Sequence, residues 1–189
     1  AERMTMICKA ASDPQVSPYV NFKTDPAVVE RMMFSNEKVE KFDDREPEVF
    51  MPLSEVPAYQ KLKEKSRSPI DADGKPVSKM KMYNVCDGLF EPIIDKFYED
   101  PTLIAYGEDN RDWGGAFAVY RGLTEALHYH RFFNSPISES AIIGSAVGYA
   151  MCGGRAIVEL MYADFIGCAG DEIFNQMAKW QSMSAGILK

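Results

Sequence analysis

The chain has 189 residues, 46% of them hydrophobic and 12% aromatic, enough for one domain with a real core plus an appendage. Its formal net charge is −7, unevenly spread: residues 1–80 carry 13 basic and 14 acidic side chains, and residues 81–189 carry 8 and 14. No basic stripe points to a nucleic-acid partner, and no apolar run reaches the roughly 20 residues of a membrane span.

In chain order, Ala1–Ala10 lacks the organisation of a signal peptide, and Ala1–Met6 reads like the middle of a helix. Residues 1–79 are polar and broken by eight of the prolines, at 14, 18, 26, 47, 52, 57, 69 and 76. Thr24-Asp25-Pro26 before Ala27–Met33 gives a cap, a first-turn proline and a short predicted helix. Residues 34–79 mix charge with Pro, Ser and Asp-Gly, so they read as a linker or extended arm with few contacts to the core. Residues 1–79 are therefore expected to be an irregular N-terminal arm, and 80–189 the domain.

From residue 80 the periodicity changes. Val85, Leu89, Phe90, Ile93, Ile94, Phe97 and Tyr98 recur at helical spacing, predicting an amphipathic helix over 80–99. Strands are predicted over 102–106, 131–134 and 155–162, with a polar glycine-containing loop at 108–119. Ser138–Cys152 is apolar on every face, which predicts a buried helix, closed by Gly153-Gly154. Asp164 is a candidate cap for a last helix that turns Phe165, Ile173, Phe174, Met177 and Trp180 inward. Residues 186–189 read like the opening of a further strand, so both ends of the sequence look like cuts in a longer polypeptide.

Strand, helix, strand, helix with short joints predicts an α/β domain of three layers, with a mostly parallel sheet between helices. Such sheets bind ligands beyond the carboxyl ends of their strands. Glu108 and Asp109 follow the first strand, Glu139 follows the second, and Phe165 follows the third. Glu139 is the only acid between Glu125 and Glu159, and it opens the most apolar helix. A carboxylate there needs a partner or a chemical task, because an unpaired buried charge is costly. Gly144 and Gly148, four apart, share a helix face and would let another backbone approach.

The four cysteines, Cys8, Cys86, Cys152 and Cys168, contain no Cys-x-x-Cys pair. They imply a reducing compartment, such as the cytoplasm, with neither disulfides nor a zinc site. His128 and His130 have no third ligand nearby and read as a surface turn, so no metal site is expected within this chain.

Several motifs in register carry a resemblance: Ile104-Ala105-Tyr106-Gly107-Glu108-Asp109, Gly114-Gly115, Arg121-Gly122-Leu123, Arg131 through Glu139, Gly153 through Glu159, Asp164-Phe165, and Asn175 through Lys179. Together they resemble the beta subunit of thiamine-diphosphate-dependent 2-oxoacid dehydrogenases, the decarboxylating component of the pyruvate, branched-chain 2-oxoacid and acetoin complexes. The resemblance covers about 82–186 and implies a transketolase-like pyrimidine-binding domain. It implies that Glu139 contacts and activates the pyrimidine ring of thiamine diphosphate and that Phe165 packs on that ring; the convergence of strand ends adds Glu108 and Asp109 as residues expected to line the site. It implies that Mg2+ and the diphosphate are held by an alpha portion absent from this chain. It further implies a lipoyl acyltransferase partner and an oligomer.

Residues 1–79 resemble, more weakly, the end of an alpha subunit fused to a beta subunit. Departures from the family pattern are Asn110 for the usual valine, Ser145 for an apolar residue, and Gly170-Asp171-Glu172 for Phe-Asp-Gln. Cys86-Asp87-Gly88 echoes the start of a diphosphate–metal motif, but it lacks the first glycine and falls inside a helix pattern. The competing expectation is a non-catalytic subunit-assembly module. A nucleotide-binding doubly wound domain lacks its glycine fingerprint here.

Overall fold

The computed structural model describes residues 2–13, 27, 43–184 and 187–188. They fall into two compact units, 1–38 and 39–189. The first unit contains helix α1 (Glu2–Ser12). The helix predicted at 26–33 lies outside the described residues, apart from Ala27.

The second unit is α/β. Its sheet has three parallel strands, β1 (Leu103–Gly107), β2 (Phe132–Asn134) and β3 (Arg155–Val158), in the order β2-β1-β3. The helices are α2 (Pro57–Lys63), α3 (Val85–Glu99), α4 (Asn110–Trp113), α5 (Glu139–Met151) and α6 (Ala178–Met183). Alternation along β1 sorts its two faces. Leu103 and Ala105 join Phe90, Ile94 and Phe97 of α3 in the main core, with Phe132 from β2 beside them. Tyr106 turns the other way and donates to the Ile142 carbonyl of α5 at 2.9 Å.

Helix α3 starts later than its periodicity suggests. Asn84 caps it: its side chain accepts from the Asp87 amide at 3.0 Å, while Asp87 accepts from the Asn84 amide at 2.8 Å. This reciprocal box fixes the first turn. It also occupies Asp87, which pairs with Lys65 at 2.7 Å. Of the apolar positions expected to face inward, Val85 and Leu89 are exposed.

Two expectations are overturned. Residues 43–79 do not stand off the core. Val56 and Leu62 are buried within it, and Val49, Met51, Leu53 and Tyr59 pack against it. The prolines that looked like linker punctuation start helix α2 and shape turns around buried anchors. Helix α5 is not buried all round: only Ile142 and Ile143 are, while Ala141, Ser145, Gly148 and Met151 are exposed. A sheet of three strands covers one stripe of a helix and leaves the remainder open.

The last helical segment also differs. Residues 163–169 form a 3-10 stretch in which Asp164 makes no cap bond, and the helix that follows passes through a π turn at Glu172–Met177. Phe174 and Met177, expected inside, are 63% and 59% exposed. A π turn adds a residue to the repeat and rotates the following positions off the face a 3.6 period predicts.

Candidate functional site at the carboxyl end of the sheet

All three strands are parallel, so the loops leaving them emerge at one end. The chain leaves β1 to form β2 on one side, then crosses to form β3 on the other. The end of β1 is therefore a topological switch point, where open α/β sheets form their binding crevices. Glu108 and Asp109 follow β1 directly, Glu159 follows β3, and Glu139 opens α5 after β2.

Hydrogen bonds fix the floor of this crevice. The Ser135 amide donates to the Gly107 carbonyl at 2.7 Å, tying the exit of β2 to the end of β1. The Arg111 amide donates to Asn134 Oδ1 at 2.7 Å, and the Arg111 guanidinium donates to the Phe132 carbonyl at 2.7 Å. Ser140 donates to the Cys168 carbonyl at 2.5 Å, which holds the first turn of α5 to the 163–169 segment that carries Phe165.

Glu139 is half-buried in the first turn of α5, one residue after the N-cap Ser138. Among the described residues its carboxylate accepts no hydrogen bond and forms no ion pair, so it is left to the crevice and to the positive end of the helix. Burial raises the Glu108 carboxyl above its ordinary range, and the negative charges of Glu139 and then Asp109 raise it further. The Glu139 carboxylate thus sits close enough to act on Glu108 through its charge.

Glu159 had no assigned role in the sequence reading, and it completes the cluster. Burial raises its pKa, the Ala116 amide at 3.3 Å works against the rise, and Asp109 and Glu108 add to it. Its signal was available: it follows a strand directly, as Glu108 does. The loop over it requires glycine. Gly115 has φ +82°, and a Cβ there would stand 2.7 Å from Glu159 Oε1 and 2.8 Å from Tyr120 Cδ2.

Beneath the acids lies Asn110, fully buried, with neither amide atom hydrogen-bonded. A Cβ on Gly107 would lie 2.7 Å from Asn110 Oδ1 and 3.1 Å from Glu159 Cβ, so Asn110 and Glu159 close on the same point. Phe165 is half-buried and meets Tyr162 edge to face at 5.8 Å, and Tyr162 meets Phe117 at 5.6 Å in the same manner. An apolar cleft of about 470 Å³ between α5 and the sheet, lined by Tyr106, Phe133, Pro136, Ile142, Ser145 and Tyr149, contains none of the four acids.

The other sequence features lie elsewhere. His130 Nε2 is 3.1 Å from Glu48 Oε2, and His128 meets the ring of Phe50 at 4.0 Å. Among the described residues no group of three or more His, Cys, Asp or Glu is placed to hold a metal, and no helix is long and apolar enough to cross a membrane.

The family described as "Transketolase, pyrimidine binding domain" matches residues 90–188. The chain is 43% identical, over 51% of its length and 31% of the relative's, to the beta subunit of acetoin:2,6-dichlorophenolindophenol oxidoreductase from Cupriavidus necator. It is 31% identical to the beta subunit of 2-oxoisovalerate dehydrogenase from Pseudomonas aeruginosa, over 63% of this chain and 33% of that one. It is 37% identical to the chloroplastic beta-3 subunit of the pyruvate dehydrogenase E1 component from Oryza sativa subsp. japonica, over 54% and 26%. The matched stretch thus spans about a third or less of these curated relatives.

Proposed function

This chain belongs to the transketolase pyrimidine-binding domain family, and from that membership we propose that it supplies the pyrimidine half of a thiamine diphosphate site. The whole protein would be the decarboxylating component of a 2-oxoacid or acetoin dehydrogenase. The observation that carries this reading is the place of Glu139: a carboxylate without a partner among the described residues, at the switch-point end of a parallel sheet, on the first turn of α5.

The residues fit the cofactor's needs. Glu139 would hold a proton against the pyrimidine ring nitrogen, and Phe165 would pack on the ring face. Glu108 and Asp109 would line the edge of the site and keep the local potential negative. Bound here, thiamine diphosphate supplies a carbon nucleophile for the 2-oxo carbon. The protein contributes position, proton exchange at Glu139 and exclusion of water.

The same acids repel a diphosphate, so that group and its Mg2+ would be held by an alpha portion. Residues 1–79 are proposed as the tail of such a portion, fused to the pyrimidine-binding part at 80–189. A lipoyl acyltransferase would take the acyl group, and a bacterial cytoplasm or another reducing compartment would house the complex. A reading as an assembly module alone draws on the exposed apolar face of α5, where a Cβ on Gly148 would meet nothing within 4 Å.

Calorimetry separates the two. This chain alone should not bind thiamine diphosphate with Mg2+ at micromolar concentrations. The same chain joined to its alpha portion should bind them and release carbon dioxide from a 2-oxo acid or turn over acetoin. A joined protein that assembles but takes up no cofactor would leave only the assembly reading.

A further inference from the structure

The loop at 114–119 is built as a rigid support for one exposed ring. Gly114 and Gly115 both have φ +82°, and Ala118, with φ +57°, is the one non-glycine residue with positive φ among the described residues. A residue such as alanine occupies that region only when its surroundings hold it there, and such strain gathers at functional sites. Here the surroundings are explicit. The Ala118 amide donates to the Gly115 carbonyl at 3.1 Å, and the Tyr120 amide donates to the Gly114 carbonyl at 2.8 Å. The Cys86 thiol of α3 reaches the Phe117 carbonyl at 3.3 Å. Yet the side chain the loop presents, Phe117, is 56% exposed, and Tyr162 beside it is 53% exposed.

Folding alone does not explain two large apolar rings left in water beside a crevice. They stand in an edge-to-face row, Phe117, Tyr162, Phe165, that leads to the ring proposed to carry the pyrimidine. Near them stand the carboxylates of Glu108, Asp109, Glu139 and Glu159. Those four carboxylates repel the carboxylate of a 2-oxo acid. The aromatic row offers a surface only to the uncharged end of such a substrate.

We propose that Phe117, with Tyr162, forms the wall that contacts the acyl side chain of the 2-oxo acid and sets which side chains the enzyme accepts. The inference rests on the cofactor reading above. Phe117 acts in it as a specificity-determining residue and takes no part in proton transfer.

The test uses this chain assembled with its alpha portion and compares pyruvate, 2-oxobutyrate and 2-oxoisovalerate by carbon dioxide release. Phe117→Ala opens the wall. It should shift the kcat/KM ratio of 2-oxoisovalerate to pyruvate about ten-fold toward the bulkier acid, the scale on which apolar pockets discriminate added methyl groups. Phe117→Leu should shift it less, and the Kd for thiamine diphosphate should stay within about two-fold of wild type. Equal changes for all three acids overturn the proposal, as does loss of assembly on sedimentation, which would make Phe117 a subunit contact. A wild-type assembly that takes up no cofactor removes the cofactor reading and this inference with it, whereas one that binds cofactor yet turns over none of the three acids overturns this inference alone. Turnover with an unmoved ratio removes the inference alone.

Discussion

The Arg131 guanidinium, fully buried, donates through Nη1 to the carbonyl of Glu48 at 3.1 Å, across 83 positions of sequence. The same side chain donates to the carbonyls of Phe97 at 3.0 Å, Asp100 at 2.6 Å and Leu103 at 3.3 Å. One cation therefore joins the segment before α2, the end of α3 and the start of β1. Arg131→Met keeps the volume and strands those carbonyls, so it should cost about 3–5 kcal/mol of unfolding free energy. Urea unfolding of the chain measures this, and a loss below about 1 kcal/mol would show the carbonyls re-pairing with water.

Glu139→Gln preserves shape and removes the exchangeable carboxyl proton. In cofactor-loaded full enzyme it should slow hydrogen–deuterium exchange at the thiazolium carbon by at least about 100-fold, the scale of a positioned acid or base. Exchange within a few-fold of wild type, with cofactor still bound, would reduce Glu139 to a helix-end residue.

The Asn110 side chain stands buried with neither Oδ1 nor Nδ2 hydrogen-bonded among the described residues, where the family resemblance leads one to expect valine. Asn110→Val removes the desolvated amide at little change in volume. Stability should rise by about 1–3 kcal/mol, read from the melting midpoint. A fall would mean that the amide bonds an internal water shared with the acids above it.

The crevice acids make stability depend on pH with a definite sign. Glu159 and Glu108 have folded-state pKa values raised above the ordinary 4.5, first by burial and then by neighbouring carboxylates. Between that value and the raised one, the folded state binds more protons than the unfolded state, so stability falls as pH rises through this window and is flat above it. Glu159→Gln should weaken the fall and stabilise the protein at neutral pH, since its amide oxygen can still accept from Ala116. Urea midpoints from pH 4 to 8 decide this; an unchanged slope would show that other groups carry the effect.

Gly148→Leu places a side chain where this chain offers no neighbour within 4 Å. The melting midpoint of the isolated chain should hold or rise by about 2–4 °C, because leucine is a better helix former than glycine by about 1 kcal/mol. Association with a second subunit should weaken, seen by sedimentation of the full assembly. Normal assembly would place the subunit contact elsewhere.

Local pattern alone determined a great deal. Short apolar runs bounded by polar joints located all three strands, and their alternation with helices required a parallel sheet, because parallel pairing needs a crossover. That geometry alone sets Glu108 and Glu139 at one end of the sheet. Other features needed the tertiary structure. An apolar helix such as α5 reads as buried, but burial depends on how much sheet there is to cover it. A proline-broken segment such as 43–79 reads as a linker, but its few apolar residues found pockets on α3 and the 120–127 turns. Glu159 gained its altered proton affinity only when the loop at Gly115 folded over it. Periodicity records which way a side chain points relative to its own backbone. What it meets there depends on surfaces brought together from distant parts of the chain, and only the packed structure fixes them.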